Sequence, residues 1–152
     1  MITIRKALPS DTPDLSRMAL AMHAASPLNS VIQLDVASFL EKVRDLSASE
    51  YGIVIVVEKD GVLCGMIAGE PDDLWLNREH KFAQEVFWWV DQGYRGIIWL
   101  TLLKALVTWV VEGGCKTLSL RSSLYNHRTD KLDRIYKKLG FIPIDVFYMK
   151  GL

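Results

Sequence analysis

The chain reads as an α/β (α+β) protein in which helices flank a mixed, mostly antiparallel central sheet. Three observations predict this. Residues 53–58 form a β-branched run, Asp60-Gly61 follows as a tight-turn dipeptide, and residues 62–68 return as a partner strand; such a turn joins antiparallel neighbours. Residues 97–111 are almost continuously apolar and lie between two strand patterns, 84–90 and 117–120. A helix between strands makes a crossover, and a crossover makes parallel neighbours. Finally, 152 residues, half of them hydrophobic and 24% charged, suffice for one domain, 1–152, with a full core.

The elements follow in order. Residues 2–6 alternate and predict a short strand. Pro9-Ser10-Asp11-Thr12-Pro13 is a turn, with Ser10, Asp11 or Thr12 as helix cap and Pro13 in the first turn, where its missing N–H costs nothing. Leu15, Met18, Ala19 and Met22 recur at helical spacing beyond it. Residues 24–30 are loop-like, and Phe39, Leu40 and Val43 mark a second amphipathic helix over 36–46. After the hairpin, Glu70-Pro71-Asp72-Asp73 ends the returning strand and 74–82 is irregular. Residues 84–90 form a strand rich in aromatics, and a helix runs from about Arg95 to Gly113-Gly114. A short strand at 117–120, a last helix over 130–139 closed by Gly140, and a final strand over 144–149 complete the chain.

Composition excludes several classes of function. Lys+Arg and Asp+Glu both number 18, so the formal net charge is zero. A general nucleic-acid binder rests on many cationic contacts to phosphate, so none is expected. Cys64 and Cys115 have no metal-like spacing and read as reduced core thiols. His23, His80 and His127 are scattered, so no metal site is expected. The start of the chain lacks the apolar core of a signal peptide. The 97–111 stretch carries Lys104 and falls short of the ~20 residues that span a bilayer. The expectation is a cytoplasmic protein without membrane contact.

Chemistry first shows at Trp88-Trp89-Val90-Asp91-Gln92-Gly93-Tyr94-Arg95-Gly96. A strand ends, a glycine-bearing turn carries one arginine, and a long helix begins. Unpaired N–H groups and the positive end of the helix dipole make such a start a phosphate site. Arg95 adds a charge-assisted donor, or else is a solvated surface residue. The helix is apolar nearly all round, with Thr101, Lys104, Thr108 and Glu112 on one narrow stripe, so it is expected to be mostly buried. Leu102, Leu103, Leu106, Val110 and Val111 are read as core. Trp99 and Trp109 either join them or pack a partner subunit, which leaves a homodimer open.

Several short motifs, together with the order of elements, resemble the GNAT superfamily of N-acetyltransferases over nearly the whole chain. Ile4-Arg5-Lys6-Ala7 with Asp11 and Leu15 is similar to that family's first strand and helix. Asp60-Gly61 followed by Cys64-Gly65-Met66-Ile67 resembles its central hairpin. Tyr94-Arg95-Gly96 resembles its pyrophosphate signature, and Tyr136-Lys137-Lys138-Leu139-Gly140-Phe141 its C-terminal signature, with Asn126 at about the expected distance before it. The signature's two later glycine positions fall on Ile98 and Leu100, a variant similar to acetyltransferase-like proteins encoded by phages.

The resemblance implies acetyl-coenzyme A as acetyl donor and an amine, on a small molecule or a protein, as acceptor. Main-chain groups near Trp88 and Val90 would hold the pantetheine like an extra strand. The turn Arg95, Gly96, Ile97, Ile98, Trp99, Leu100 and Thr101 would take the pyrophosphate, and Asn126 the thiol region. Tyr136 stands where a general acid protonates the leaving thiolate, a suitable task for a phenol of pKa ~10; otherwise it packs on Gly140-Phe141. Glu85 is the first candidate for general base, because Phe87 and Trp89 share its face by the two-residue period and an apolar setting raises a carboxyl's pKa. Glu70 is the second, and either is otherwise a solvated edge carboxylate. Trp75, Trp88 and Trp89 line an acceptor cleft or fill the core. A binding module of the same fold without catalysis, or an interaction protein with a Trp-rich surface, remains the alternative.

Overall fold

A computed structural model describes residues 1–121 and 129–152. Its elements are β1 (Ile2–Lys6), α1 (Thr12–Ala25), α2 (Val36–Ala48), β2 (Ile53–Lys59), β3 (Val62–Asp72), β4 (Phe82–Val90), α3 (Ile97–Glu112), β5 (Thr117–Ser119) and α4 (Thr129–Lys138). The sheet order is β1-β2-β3-β4-β5. The first three pairings are antiparallel and β4–β5 is parallel, so the mixed, mostly antiparallel sheet predicted from the hairpin and the crossover is present.

Both faces of the sheet are covered, which is why β2 and β3 are nearly continuous apolar runs and not alternating ones. On one face, Leu15, Met18 and Met22 of α1 and Val43 and Leu46 of α2 pack on Val54, Val56, Met66, Phe87 and Trp89. On the other, Ile98, Leu102, Leu106 and Val110 of α3 and Leu132 and Tyr136 of α4 pack on Ile55, Val57, Ile67, Trp88 and Val90. The corner from β1 into α1 is tied by Asp11. Its carboxylate accepts from Arg5 Nη1 at 2.7 Å and Nη2 at 2.9 Å, and from the Leu8 N–H at 2.7 Å. Arg5 also bonds Glu58 of β2. The Arg5 guanidinium holds the Asp11 carboxyl below the usual carboxylate range.

Two bulges shape the sheet. Val57 faces Gly65 while Glu58 faces Leu63, so Cys64 is the extra residue in β3. Ala68 faces Phe87 while Gly69 faces Glu85, so Val86 is the extra residue in β4. A bulge shifts which side chains point to which face by one residue. Helix α3 sits close on β3 because Gly65 and Gly69 offer no side chain. A Cβ on Gly65 would lie 2.8 Å from Val57 Cγ1, 3.1 Å from Leu102 Cδ1 and 3.3 Å from the Trp89 carbonyl.

Four features differ from the sequence expectation. β3 runs on to Asp72, because Pro71 and Asp72 still find Ala83 and Phe82 to pair with. α3 starts at Ile97 and not near Arg95, because Gly96 holds φ 109° and ψ −119°, a conformation open to glycine alone. Val111 is 66% exposed and Ile97, Leu100 and Val107 are exposed with it. A helix on a sheet buries one face only, and these residues recur on the far side at helical spacing. Residues 144–149 form no strand; an extended segment becomes a strand only when a neighbour takes its backbone hydrogen bonds, and here none does.

Gly65→Ala should destabilise the protein by about 1–3 kcal/mol, the usual cost of an overpacked core site. Urea unfolding checks this. An unchanged midpoint would mean that α3 is free to move away from the sheet.

Candidate functional site

The site lies where β4 parts from β5. The two strands pair only at Phe82–Thr117, Ala83–Leu118 and Gln84–Ser119. Beyond Gln84 the backbone groups of β4 that point toward β5 have no strand partner among the described residues. An extended amide-bearing chain can lie there as an added strand. This is the place expected for the main-chain groups of Trp88 and Val90. The Val90 carbonyl already accepts from Arg95 Nε at 3.2 Å.

The Val86 bulge decides what lines the wedge. By simple alternation Glu85 was expected to share a face with Phe87 and Trp89. It does not: Phe87 and Trp89 pack on α1 and α2, whereas the extra residue turns Glu85 to the side of Trp88 and Tyr136. There Glu85 is 1% exposed. Its Oε2 accepts from the Arg121 N–H at 3.0 Å, and its Oε1 is buried without a partner among the described residues. Burial pushes its pKa up to about 7, and the Arg121 N–H holds back part of that rise.

Tyr136 projects from α4 into the same space. Its ring lies 6.3 Å from that of Trp88 and 6.0 Å from that of Phe141. Its hydroxyl is buried and has no hydrogen-bond partner among the described residues. Burial, and then the nearby Glu85 charge, raise its pKa well above the ordinary phenol value, so it stays protonated. Trp88 stacks on Trp99 of α3 at 4.1 Å, and both indole N–H groups are buried without a partner among the described residues. Buried donors without acceptors are costly and uncommon in folded proteins. Here three such donors and one acceptor, from Trp88, Trp99, Tyr136 and Glu85, belong to one group of neighbouring side chains.

The turn into α3 is held by residues that are remote in sequence. The Asp91 N–H donates to the Cys64 carbonyl at 2.9 Å, at the β3 bulge. The Asp91 carboxylate accepts from Trp89 Nε1 at 2.9 Å and from Arg17 Nη1 of α1 at 2.8 Å, and Arg17 Nη2 reaches the Leu63 carbonyl at 3.0 Å. Arg95 lies over the Trp89 ring, 5.1 Å from its centroid. Gly96 gives α3 no side-chain cap, so the first N–H groups of the helix, at Ile97 and Ile98, are free for an anion. Ile98 turns inward and is 2% exposed, and Ile97 and Leu100 turn to solvent, so these bulky residues leave the helix axis open. The Thr101 hydroxyl donates back to the Ile97 carbonyl at 2.7 Å, which uses its one donor.

The structure thus brings together Glu85, Trp88, Trp99 and Tyr136, and beside them the Val90–Thr101 turn. Asn126 lies outside the described residues. Glu70 is engaged elsewhere: Lys42 Nζ contacts both its oxygens, at 2.8 and 3.1 Å, which leaves it a weaker candidate for a base than Glu85. Trp75 is 82% exposed, and Trp89 is core on the far face. Sequence reasoning missed Arg17, Asp91 and the Arg121 N–H. The Arg17–Asp91 pair spans 74 residues, and no local pattern announces such a contact.

Comparison with known proteins gives the family and the fold. The model of the acetyltransferase (GNAT) family matches residues 20–141. No curated protein matches the sequence. Among solved structures, a predicted acetyltransferase with acetyl-CoA from Clostridium acetobutylicum superposes with a TM-score of 0.75 at 18% identity, over 99% of this chain and 96% of that one. An aminoglycoside 6'-N-acetyltransferase from Acinetobacter haemolyticus gives 0.71 at 15% identity, over 99% of each chain. A transcriptional regulator from Bacillus halodurans C-125 gives 0.78 at 16% identity, over 100% of each. At these identities the likeness is one of fold.

The Glu85 carboxyl generates a prediction about stability. The folded chain keeps a proton on Glu85 between its ordinary value near 4.5 and about 7, whereas the unfolded chain has released it. Stability contributed at this site therefore falls as pH rises through that window. Glu85→Gln should remove the fall, so the variant should gain on the wild type between about pH 5 and about pH 8. Urea midpoints at the two pH values check this, and an unchanged difference would show that the carboxyl is not linked to folding.

Proposed function

The chain belongs to the GNAT acetyltransferase family, and we propose that it is an N-acetyltransferase moving an acetyl group from acetyl-coenzyme A to a primary amine by direct attack. The observation that carries this reading is the buried group of unpartnered polar atoms where β4 leaves β5. The same wedge offers an open strand edge for a pantetheine arm, and the uncapped start of α3 offers N–H groups for its pyrophosphate, with Arg95 beside them.

The roles follow from the environments. Glu85, with a pKa near 7, is poised to take a proton from the amine, directly or through water. Tyr136, kept protonated by burial, gives its proton to the departing thiolate. The Glu85 charge is felt at Tyr136, so the two groups share one electrostatic environment. The indole N–H groups of Trp88 and Trp99 supply hydrogen bonds to the acyl donor. The acceptor is an amine on a small molecule or a protein. Free thiols at Cys64 and Cys115 suit a reducing cytoplasm, and no described helix is long and apolar enough to cross a membrane.

A second reading is a binding module of the same fold without turnover. It is favoured by Ile98 and Leu100 standing where the family signature has small residues, and by the spent Thr101 hydroxyl. Calorimetry with coenzyme A and acetyl-coenzyme A separates the possibilities. The enzyme reading expects micromolar binding together with thiol release in the presence of amines. Binding without release under any amine favours the module, and no binding removes both.

Given turnover, Tyr136→Phe and Glu85→Gln should each lower kcat by about 10²-fold or more, the usual worth of a positioned acid or base. The rate for wild type should rise with pH through a value near 7 as Glu85 ionises, and Glu85→Gln should flatten that limb. Full turnover in either variant would remove that residue's role.

A further inference from the structure

A carboxylate stands close to Arg95, the one cation of the turn into α3. Asp91 and Arg95 flank a single 3-10 turn, Gln92–Tyr94, and the Tyr94 N–H donates to the Asp91 carbonyl at 2.9 Å. Both side chains rest against the same indole. Asp91 Oδ1 accepts from Trp89 Nε1 at 2.9 Å, and the Arg95 guanidinium lies 5.1 Å from the Trp89 ring centroid. Opposite charges one helical turn apart ordinarily pair. An Arg95 held by Asp91 would be lost to a phosphate, and a bare carboxylate beside the start of α3 would repel one.

That pair does not form. Arg95 donates through Nε to the Val90 carbonyl at 3.2 Å, and among the described residues its Nη1 and Nη2 have no partner. Asp91 is taken instead by a cation from another element. Arg17 of α1 donates through Nη1 to Asp91 Oδ2 at 2.8 Å, and its Nη2 is fixed on the Leu63 carbonyl at 3.0 Å. With Oδ1 on the indole and Oδ2 on Arg17, each carboxylate oxygen already has a donor. Arg17 is half-exposed, and an ion pair so placed contributes little to stability. Its effect is on the charge left over: the carboxylate is neutralised, and the forked end of Arg95 stays free.

Resting on the coenzyme A reading of this turn, we propose that Arg17 is a positioning residue for the donor's phosphates: by occupying Asp91 it keeps Arg95 free to bind them. Arg17 acts through Asp91 and has no need to touch the ligand. The two Nη groups of Arg95 offer the parallel donors that match a phosphate. The Trp89 face and the Val90 carbonyl hold the guanidinium in place for that task. A cation brought from α1 thus sets the charge available at the start of α3, although Arg17 lies 74 residues from Asp91 in the chain.

Calorimetry of coenzyme A with the full chain tests this. Arg17→Met should weaken binding about 10-fold, the worth of a charge-assisted hydrogen bond to phosphate. Asp91→Asn should bind at least as tightly as the wild type. Arg17→Met combined with Asp91→Asn should recover the loss, because no carboxylate is left to capture Arg95. A merely structural Arg17 predicts the opposite, a double variant as weak as the single one or weaker. Three results would overturn the proposal: an Arg17→Met variant as tight as the wild type, a double variant that recovers nothing, or a weakened Asp91→Asn. The last of these needs no Arg17 variant to fold. A wild type that fails to bind coenzyme A removes the functional reading itself and this proposal with it, whereas the three results above leave that reading standing.

Discussion

The single inserted residue in β4 is the constraint on which the site depends. Without the bulge at Val86, simple alternation along β4 would point Glu85 at α1 and α2, away from Tyr136. With it, Glu85 and Trp88 lie on one face although they are three residues apart. The β4–β5 pairing ends two residues before the bulged Val86, at Gln84. A strand that gains a residue also gains twist and bends from its neighbour. The same local feature therefore aims the carboxylate and sits where the wedge opens. It also sets the carboxylate's chemistry, because the face onto which Glu85 is turned is the packed side of α3 and α4.

That placement is costly to the fold. A carboxylate at 1% exposure with one N–H partner is destabilised in its charged form, and its pKa rises accordingly. Among the described residues, three neighbouring donors are also left without acceptors. The rest of the molecule offsets this with two continuous apolar layers and with close glycine packing of α3 on β3. Unsatisfied polar groups gathered at one point of an otherwise well-packed core mark a place shaped for something other than stability.

The turn into α3 shows a second division of labour. Gly96 fixes the start of the helix by a backbone conformation that no other residue adopts readily. Asp91, however, is held by Arg17 from α1 and by the carbonyl of the bulged Cys64, so the turn into α3 is anchored to both the first helix and the central hairpin. Ile98 and Leu100 are bulky, but one is buried and the other faces outward, so their size is spent away from the helix mouth. What the motif lost in glycines concerns how closely a ligand approaches, and the free N–H groups are unaffected.

The sequence by itself determined the hairpin, the helix crossover and the mixed sheet, and it singled out Glu85, Tyr136 and Arg95–Gly96 as candidates. These are local properties: period, turn dipeptides, caps and short motifs leave their mark within a few residues. The strand expected at 144–149 was equally legible as pattern, yet strand formation needs a partner's backbone, and pattern alone does not supply one. The tertiary structure decided which face Glu85 takes, that Glu70 is held by Lys42, that Arg17 braces Asp91, and that β4 and β5 separate at Gln84. Each of these depends on register between segments far apart in the chain. A one-residue bulge reverses a face without changing the composition around it, so only the paired strands reveal it.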